Sequence, residues 1–317
     1  MILPNFKSGK VITIGDIILD KYLKCINNNN YVVNTSEIFK INLFKYIPGG
    51  AANVAMNIAA LGCSSHLFGI TGIDKYSKIL SKILVKKKIK YNFISINSYP
   101  TITKLRLLFN QNNILRMDYE KKFNKINSRI MLNYINKNIL NSGAVVISDY
   151  NKGSLYNIQS LINNAIKNNI PIVVDTKNND FNKYKGCTVL TPNELEFKKY
   201  VGSWNNEKEL INLGIEVINY NKLSALVITR SERGLLLIES NKNILHMPSY
   251  AHKVMDVTGA GDTFTGVLAA SLSLGINMKK SCFLANIAAG LVISELFTST
   301  INIDNFKNFI LNKKNII

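Results

Sequence analysis

A rhythm of short apolar runs constrains this chain more than any other feature. VITIG (11–15), HLFGI (66–70), AVVIS (144–148), PIVVD (171–175), TVLT (188–191) and ALVIT (225–229) recur along it. Helical stretches follow most of them, starting near Ala51, Lys75, Ser154, Asn193 and Gly261. Strands that alternate with helices in this way predict a parallel sheet covered on both faces. Two stretches break the rhythm, 31–48 (YVVNTSEIFKINLFKYIP) and 99–120 (YPTITKLRLLFNQNNILRMDYE). Both read as extended strands with turns and no helix of their own, enough for a small sheet flanking the main one. INNNNY (26–31) reads as a loop. A chain of 317 residues that is 47% hydrophobic can fill the core of one large α/β domain, and the expectation is a single domain over 1–317 with that small sheet as an appendage.

Composition excludes several classes. The N-terminus MILPNFKSGKVITIG lacks the regions of a signal peptide, and the uncharged runs 263–278 and 281–294 fall short of the ~20 apolar residues of a membrane span. Cys25, Cys63, Cys187 and Cys282 stand far apart without a CxxC pair, and only three histidines exist. That argues against zinc and for reduced thiols in a cytoplasm. The net charge of +19 comes from lysines scattered among Ile and Asn. With no reading motif beside it, it describes a solvated surface that attracts phosphorylated metabolites rather than a nucleic-acid binder.

Five segments carry candidate chemistry, and each also has a structural reading. In DVTGAGDTF (256–264), Gly259 and Gly261 permit a tight turn before an apolar helix whose first N–H groups lack partners. The backbone of Gly259, Ala260 and Gly261 is therefore a candidate anion hole. Asp262 is either a base facing a phosphoryl group or the cap of that helix, and a helix start should hold it deprotonated. In LTPNELEF, Asn193 and Glu196 have the spacing of a capping box. The same geometry lets Asn193 approach phosphate and Glu196 hold the water shell of Mg²⁺. In GDIILD, a turn after the first strand would bring Asp16 and Asp20 to one pocket, where both accept from sugar hydroxyls; the alternative is a turn acid and a surface acid. In PGGAANVAMNIAALG, Gly49 and Gly50 open a small-residue helix carrying Asn53 and Asn57 one turn apart. In TITKLR, Lys104 and Arg106 share a strand face that suits a phosphate, or protects an exposed edge.

Together these segments resemble the ribokinase-like, or PfkB, carbohydrate kinases. PGGAANVAMN and DVTGAGDTF match the two signature regions, and TPNELE the Asn-x-x-Glu motif. SDYNKG (148–153), ALVITRSERG (225–234), LHMPSYAHKVMDVTGAGDTF and TSTI (298–301) are similar, in order, to the branch of the family that phosphorylates heptose 7-phosphate. The resemblance runs from about Val11 to Ile301. It implies a doubly wound, mostly parallel α/β sheet with a small β lid, and transfer of the γ-phosphoryl group of ATP to the anomeric hydroxyl. By the same resemblance Asp262 is the base. Asn193 and Glu196 serve ATP and Mg²⁺, Glu196 through water, and Thr229, Gly234 and Asn286 lie on the nucleotide side. Asp16, Asp20, Gly50 and Asn53 meet the sugar, and Lys104 and Arg106 its 7-phosphate. A monovalent cation, a homodimer formed through the lids and a separate adenylyltransferase acting downstream are further implications. Three departures stand out. LKCINNNNYVVNTSEIFKIN replaces an arginine- and proline-bearing lid segment; DTKNNDF (175–181) keeps Asp175, Lys177 and Asp180 but has Thr176 and Asn178 where Pro and Gly are usual; and His66, His246 and His252 are scattered, so no adenylyl transfer is expected. Two rival readings persist: another sugar or sugar phosphate as acceptor, such as a fructose phosphate or ribose, and a sugar-phosphate-binding relative without turnover.

Overall fold

The computed structural model describes residues 3–26, 32–33, 36–37, 39–109, 112–123, 125–251, 254–295 and 297–312. Its main sheet has the strand order Ile244–Met247, Leu235–Glu239, Ala225–Thr229, Val189–Leu190, Ile172–Thr176, Ala144–Asp149, Lys10–Ile26, Ser64–Gly72, Lys90–Ile96. The pairings are parallel except at Leu235–Glu239, which runs antiparallel to both neighbours. Successive side chains in the central strands enter opposite layers, as the two-residue period of a strand dictates. Val11, Val146, Val173, Val189 and Val227 pack against the helices Ala51–Ala60, Ala260–Leu272, Met278–Val292 and Ile303–Asn312. Ile12, Ile14, Ile147, Val174, Leu190 and Ile228 pack against Lys125–Asn138, Gln159–Lys167, Glu194–Val201 and Glu207–Asn221. This is the doubly wound α/β architecture, with apolar side chains on both faces of the sheet.

The first strand departs from expectation. It does not turn at Gly15 but continues for 17 residues, Lys10–Ile26. Lys10–Asp16 pairs with Ser64–Gly72 and Ala144–Asp149, and the remainder leaves the main sheet to build a second one. There it lies between Lys40–Gly50, antiparallel, and Ile102–Phe109, parallel, with Asn112–Tyr119 at the far edge. The stretch 31–48 contributes most of Lys40–Gly50, while its strands Val32–Val33 and Ser36–Glu37 pair with each other; 99–120 contributes Ile102–Phe109 and Asn112–Tyr119. INNNNY, apart from Ile26, lies outside the described residues. Asp16 and Asp20 therefore sit on one continuous strand rather than in a turn. Acids are poor strand formers, which is why the run reads as a loop; here both are buried and bonded.

Register sorts the smaller sheet into two faces. Asp20 pairs with Lys104, and Tyr22 with Arg106, so these side chains share one face. Leu23 pairs with Phe44 and Leu107, and Leu107 with Leu115, forming the other. Elsewhere, the helix expected from Ser154 begins at Gln159. Lys90–Ile96, Leu235–Glu239, Ile244–Met247 and the helices Lys125–Asn138 and Glu207–Asn221 have no counterpart among the expected elements, the first because KYNFISI mixes polar and apolar residues at a sheet edge.

Candidate active site

The helix Ala260–Leu272 starts at Gly259, whose φ of 88° is open to glycine and strained for other residues. No side chain caps it. Asp262 is the third helical residue, not the cap, and it is buried with 5% exposure. Both carboxylate oxygens are held: Asn53 Nδ2 donates to Oδ2 at 2.8 Å and the Tyr150 hydroxyl to Oδ1 at 2.8 Å. Burial, followed by the charge of Asp175, pushes its pKa from the usual 3.8 to about 7. The helix start does not keep this acid strongly ionised, because desolvation outweighs a dipole worth about 1 kcal/mol. The candidate anion hole departs from the expectation at one member, Ala260. Ala260 N–H turns back to Val257 O at 3.3 Å, whereas no acceptor among the described residues reaches the N–H groups of Gly261 or Asp262. A Cβ added at Gly261 would meet nothing within 4 Å.

Asn53 comes from the helix Ala51–Ala60, which the chain enters through Gly50 at φ 55°. A Cβ on Gly50 would lie 2.7 Å from Asp16 O, so this crossing requires glycine. Asn57, one turn on, donates to Asn53 Oδ1 at 3.3 Å and accepts from Thr263 Oγ1 at 3.2 Å and Ile301 N–H at 3.0 Å. One amide thus ties three distant segments around the buried acid. Tyr22 and Thr298 add a second tie, hydroxyl to hydroxyl, at 2.9 Å.

Asp16 and Arg106 are already engaged. Asp16 accepts from Lys152 N–H at 3.0 Å and the Ser154 hydroxyl at 2.5 Å, fixing the SDYNKG loop that delivers Tyr150. Burial, then Asp149, raises its pKa to about 6. Arg106 forms an ion pair with Asp20 and lies over the Tyr22 ring at 5.2 Å. Lys104 differs: its ammonium sits 5.2 Å from the centre of the Tyr150 ring, and no carboxylate among the described residues forms an ion pair with it. Burial lowers its pKa, and Arg116 adds to that.

Across the site, Asn193 and Glu196 form the complete capping box, each side chain bonded to the other's N–H at 2.8 Å. The second oxygen of Glu196 meets Lys177 Nζ at 2.7 Å, and Lys177 also reaches Asp175 Oδ1 at 3.2 Å. Burial opposes charge on Lys177, but Asp175 and Glu196 hold its ammonium above the ordinary lysine range. Asp175 Oδ2 is buried without a hydrogen-bond partner. Thr229 bridges to Asn193, its N–H donating to Pro192 O at 3.0 Å, and Asn286 donates to Pro248 O at 2.8 Å. Gly234, at φ 79°, is a packing position: a Cβ there would lie 2.0 Å from Met247 O. Among the described residues no three His, Cys, Asp or Glu side chains cluster tightly enough to chelate a cation. Two carboxylates, one of them with an orphaned oxygen, instead suit an ion that keeps most of its waters, as Mg²⁺ does. Tyr150 is the site residue that sequence reasoning missed. Its place just past a parallel strand's C-terminal end, where α/β sheets bind ligands, was a usable signal.

The family model described as pfkB family carbohydrate kinase matches residues 9–304. Bifunctional protein HldE of Shigella flexneri and that of Escherichia fergusonii are each 43% identical to this chain over 300 residues, 95% of its length. The chain spans 63% of the length of these relatives. Among solved structures, Arabidopsis thaliana ribokinase complexed with ribose and ATP superposes with a TM-score of 0.77 at 19% identity, covering 95% of this chain and 99% of that one. Escherichia coli phosphofructokinase-2 in complex with potassium gives 0.80 at 17%, covering 96% and 99%. At such identities the likeness is one of fold. By the match over residues 9–304, the chain belongs to the pfkB family of carbohydrate kinases.

Proposed function

We propose that this chain transfers the γ-phosphoryl group of ATP to the anomeric hydroxyl of D-glycero-β-D-manno-heptose 7-phosphate. The product is the 1,7-bisphosphate, used toward ADP-heptose for the lipopolysaccharide core, with a separate adenylyltransferase acting later. The observation that carries the reading is Asp262, buried between Asn53 and Tyr150 at a helix start with two unengaged N–H groups. A sugar hydroxyl held against Asp262 attacks the γ-phosphorus, the bond to the β-phosphate oxygen breaks, and the proton passes to the carboxylate. An acid that titrates at about 7 is matched to that task. The N–H groups of Gly261 and Asp262 face the charge gathering on the phosphoryl oxygens, where positioned donors count most. Asp175 and Glu196 would hold Mg²⁺, partly through its waters, and the bound ion would offset phosphate charge. Potassium in the phosphofructokinase-2 structure brings a monovalent cation into the proposal, checked by comparing rates in K⁺ and Na⁺.

Asp16, Asp20, Gly50 and Asn53 frame the sugar, with Lys104 and Arg106 toward its phosphate and the smaller sheet as lid. Phe44, Leu115, Met117 and Tyr119 are exposed, and this apolar surface supports a homodimer paired through the lids. No helix among the described residues is long and apolar enough to cross a membrane. The proposal assigns the reaction to the cytoplasm, where ATP is supplied. One observation favours a different acceptor. Arg106 is committed to Asp20, which reduces the phosphate clamp on that lid face to Lys104, and a neutral sugar such as ribose would need no clamp at all. The test is ADP release with heptose 7-phosphate beside fructose 1-phosphate, fructose 6-phosphate and ribose. The proposal requires heptose 7-phosphate to be the fastest; equal rates overturn the acceptor, and ribose alone establishes the second reading.

A further inference from the structure

Lys177 occupies a position that the reaction just proposed gives to another cation. Its ammonium lies between Asp175 Oδ1 and Glu196 Oε1, at 3.2 and 2.7 Å, the two carboxylates that suit Mg²⁺. The second oxygen of Asp175 is buried and unbonded, so the ammonium satisfies this pair only in part. Backbone geometry anchors the residue but not its tip: Lys177 N–H donates to Asp149 O at 2.7 Å, while the side chain is 36% exposed and passes over the Tyr150 ring, its Nζ 5.7 Å from the ring centre. Lys104 approaches the same ring at 5.2 Å. The ring and Asp262 beneath it thus stand beside two ammonium groups, one paired with carboxylates and one not.

From this arrangement we infer that Lys177 is an internal counter-cation: it neutralises Asp175 and Glu196 in the ligand-free enzyme and yields them when a metal–nucleotide complex arrives. An ammonium and a divalent ion cannot share two carboxylates without strong repulsion, so the metal binds only as Lys177 swings away. Once displaced, the ammonium has the nucleotide's phosphates as its new partner, a point charge on a flexible stem suited to following them. The enzyme avoids leaving a buried and a half-buried carboxylate unpaired between turnovers, and free metal competes poorly for the site until phosphates arrive to receive the lysine. This inference rests on the ATP-dependent reading, and it concerns binding that can be measured without turnover.

The test is Mn²⁺ binding, followed by the electron paramagnetic resonance of the free ion, with neither nucleotide nor sugar present. Lys177→Met should bind Mn²⁺ about tenfold or more tightly than the wild-type chain, because the competing charge is gone. Lys177→Arg keeps the charge and should bind as weakly as wild type. Adding Glu196→Gln to Lys177→Met should abolish the gain. If Lys177→Met binds Mn²⁺ within about twofold of wild type, the lysine is a fixed structural bridge and the inference fails. Should Lys177→Met not fold, the ¹⁵Nζ resonance of Lys177 in the wild-type chain decides. Displacement requires it to shift when Mg²⁺ and a non-hydrolysable ATP analogue are added, and an unmoved resonance overturns the idea. A tenfold gain together with no ADP released from ATP in the presence of any of the sugars would sink the kinase reading and leave the counter-cation intact.

Discussion

The two halves of the strand Lys10–Ile26 are built to different rules. Its root, Lys10–Asp16, lies between parallel neighbours, with Val11, Ile12 and Ile14 buried in opposite layers. Its far half belongs to the smaller sheet, where one face carries Asp20, Lys104 and Arg106 and the other bears exposed Phe44, Leu115 and Met117. Packing constrains the root on both faces, whereas the far half carries charge on one face and exposed apolar side chains on the other.

Substitutions that separate these rules form a ladder. The largest effect belongs to the root side: Asp262→Asn should lower kcat by about 10²–10⁴, since the amide accepts no proton. Unchanged turnover in a quenched-flow assay would remove the base. Next comes the buried pair of the far half. Arg106→Met leaves Asp20 uncompensated and should cost about 3–5 kcal/mol in urea unfolding, and the double variant Asp20→Leu, Arg106→Met should recover most of it. A double variant as unstable as the single one would show that the residues act separately.

A third rung is pH. The carboxyl of Asp262 titrates at about 7 when folded and near 3.8 when unfolded, so the folded chain binds the extra proton between those values. Its stability contribution is full below pH 3.8 and is lost as pH rises through 7, at roughly 1.4 kcal/mol for each pH step between the two values. Wild type minus Asp262→Asn stability should thus fall between pH 5 and pH 8, a difference in which Asp16 cancels, while wild-type kcat rises over the upper part of that range. A flat difference would mean that Asp262 is ionised throughout. Below this, Lys104→Met should raise KM for the phosphorylated sugar about tenfold and leave KM for ATP unchanged, the loss of one charge-assisted contact. Equal rises would place the phosphate elsewhere. The smallest is Met117→Lys on the outer face, which should move stability by less than about 0.5 kcal/mol yet split the proposed lid-paired dimer in light scattering. A dimer that survives would move the seam off this face.

The same contrast explains what the sequence made legible. Apolar runs such as AVVIS and ALVIT read directly as buried parallel strands, whereas DVTGAGDTF by itself left Asp262 open between helix cap and base. GDIILDKYLKCI did not read as strand, since its acids are excused only by Arg106, Ser154 and Lys152, which lie far away in sequence. The pairing of Arg106 with Asp20 and of Lys177 with Asp175 and Glu196 was equally hidden. Spacing shows which residues share a face but not which opposite charges neutralise one another first. Nor could the motif disclose that Asp262 is held near neutrality, because that follows from Asp175 and from burial, neither of which lies in the nine residues.

Asn57 joins the helix behind Asn53 to Thr263 and to Ile301, 244 residues further along the chain. On a ribosome adding about 5–20 residues per second, that separation is roughly 12–50 s of synthesis. Until Thr263 is made, 206 residues after Asn57, the nascent polypeptide holds Asn57 without either partner, and the helix Ala51–Ala60 without the helix that covers it. The half-made protein is thus a client for chaperones, and chains released before Ile301 would be cleared or aggregate rather than persist as weak enzymes.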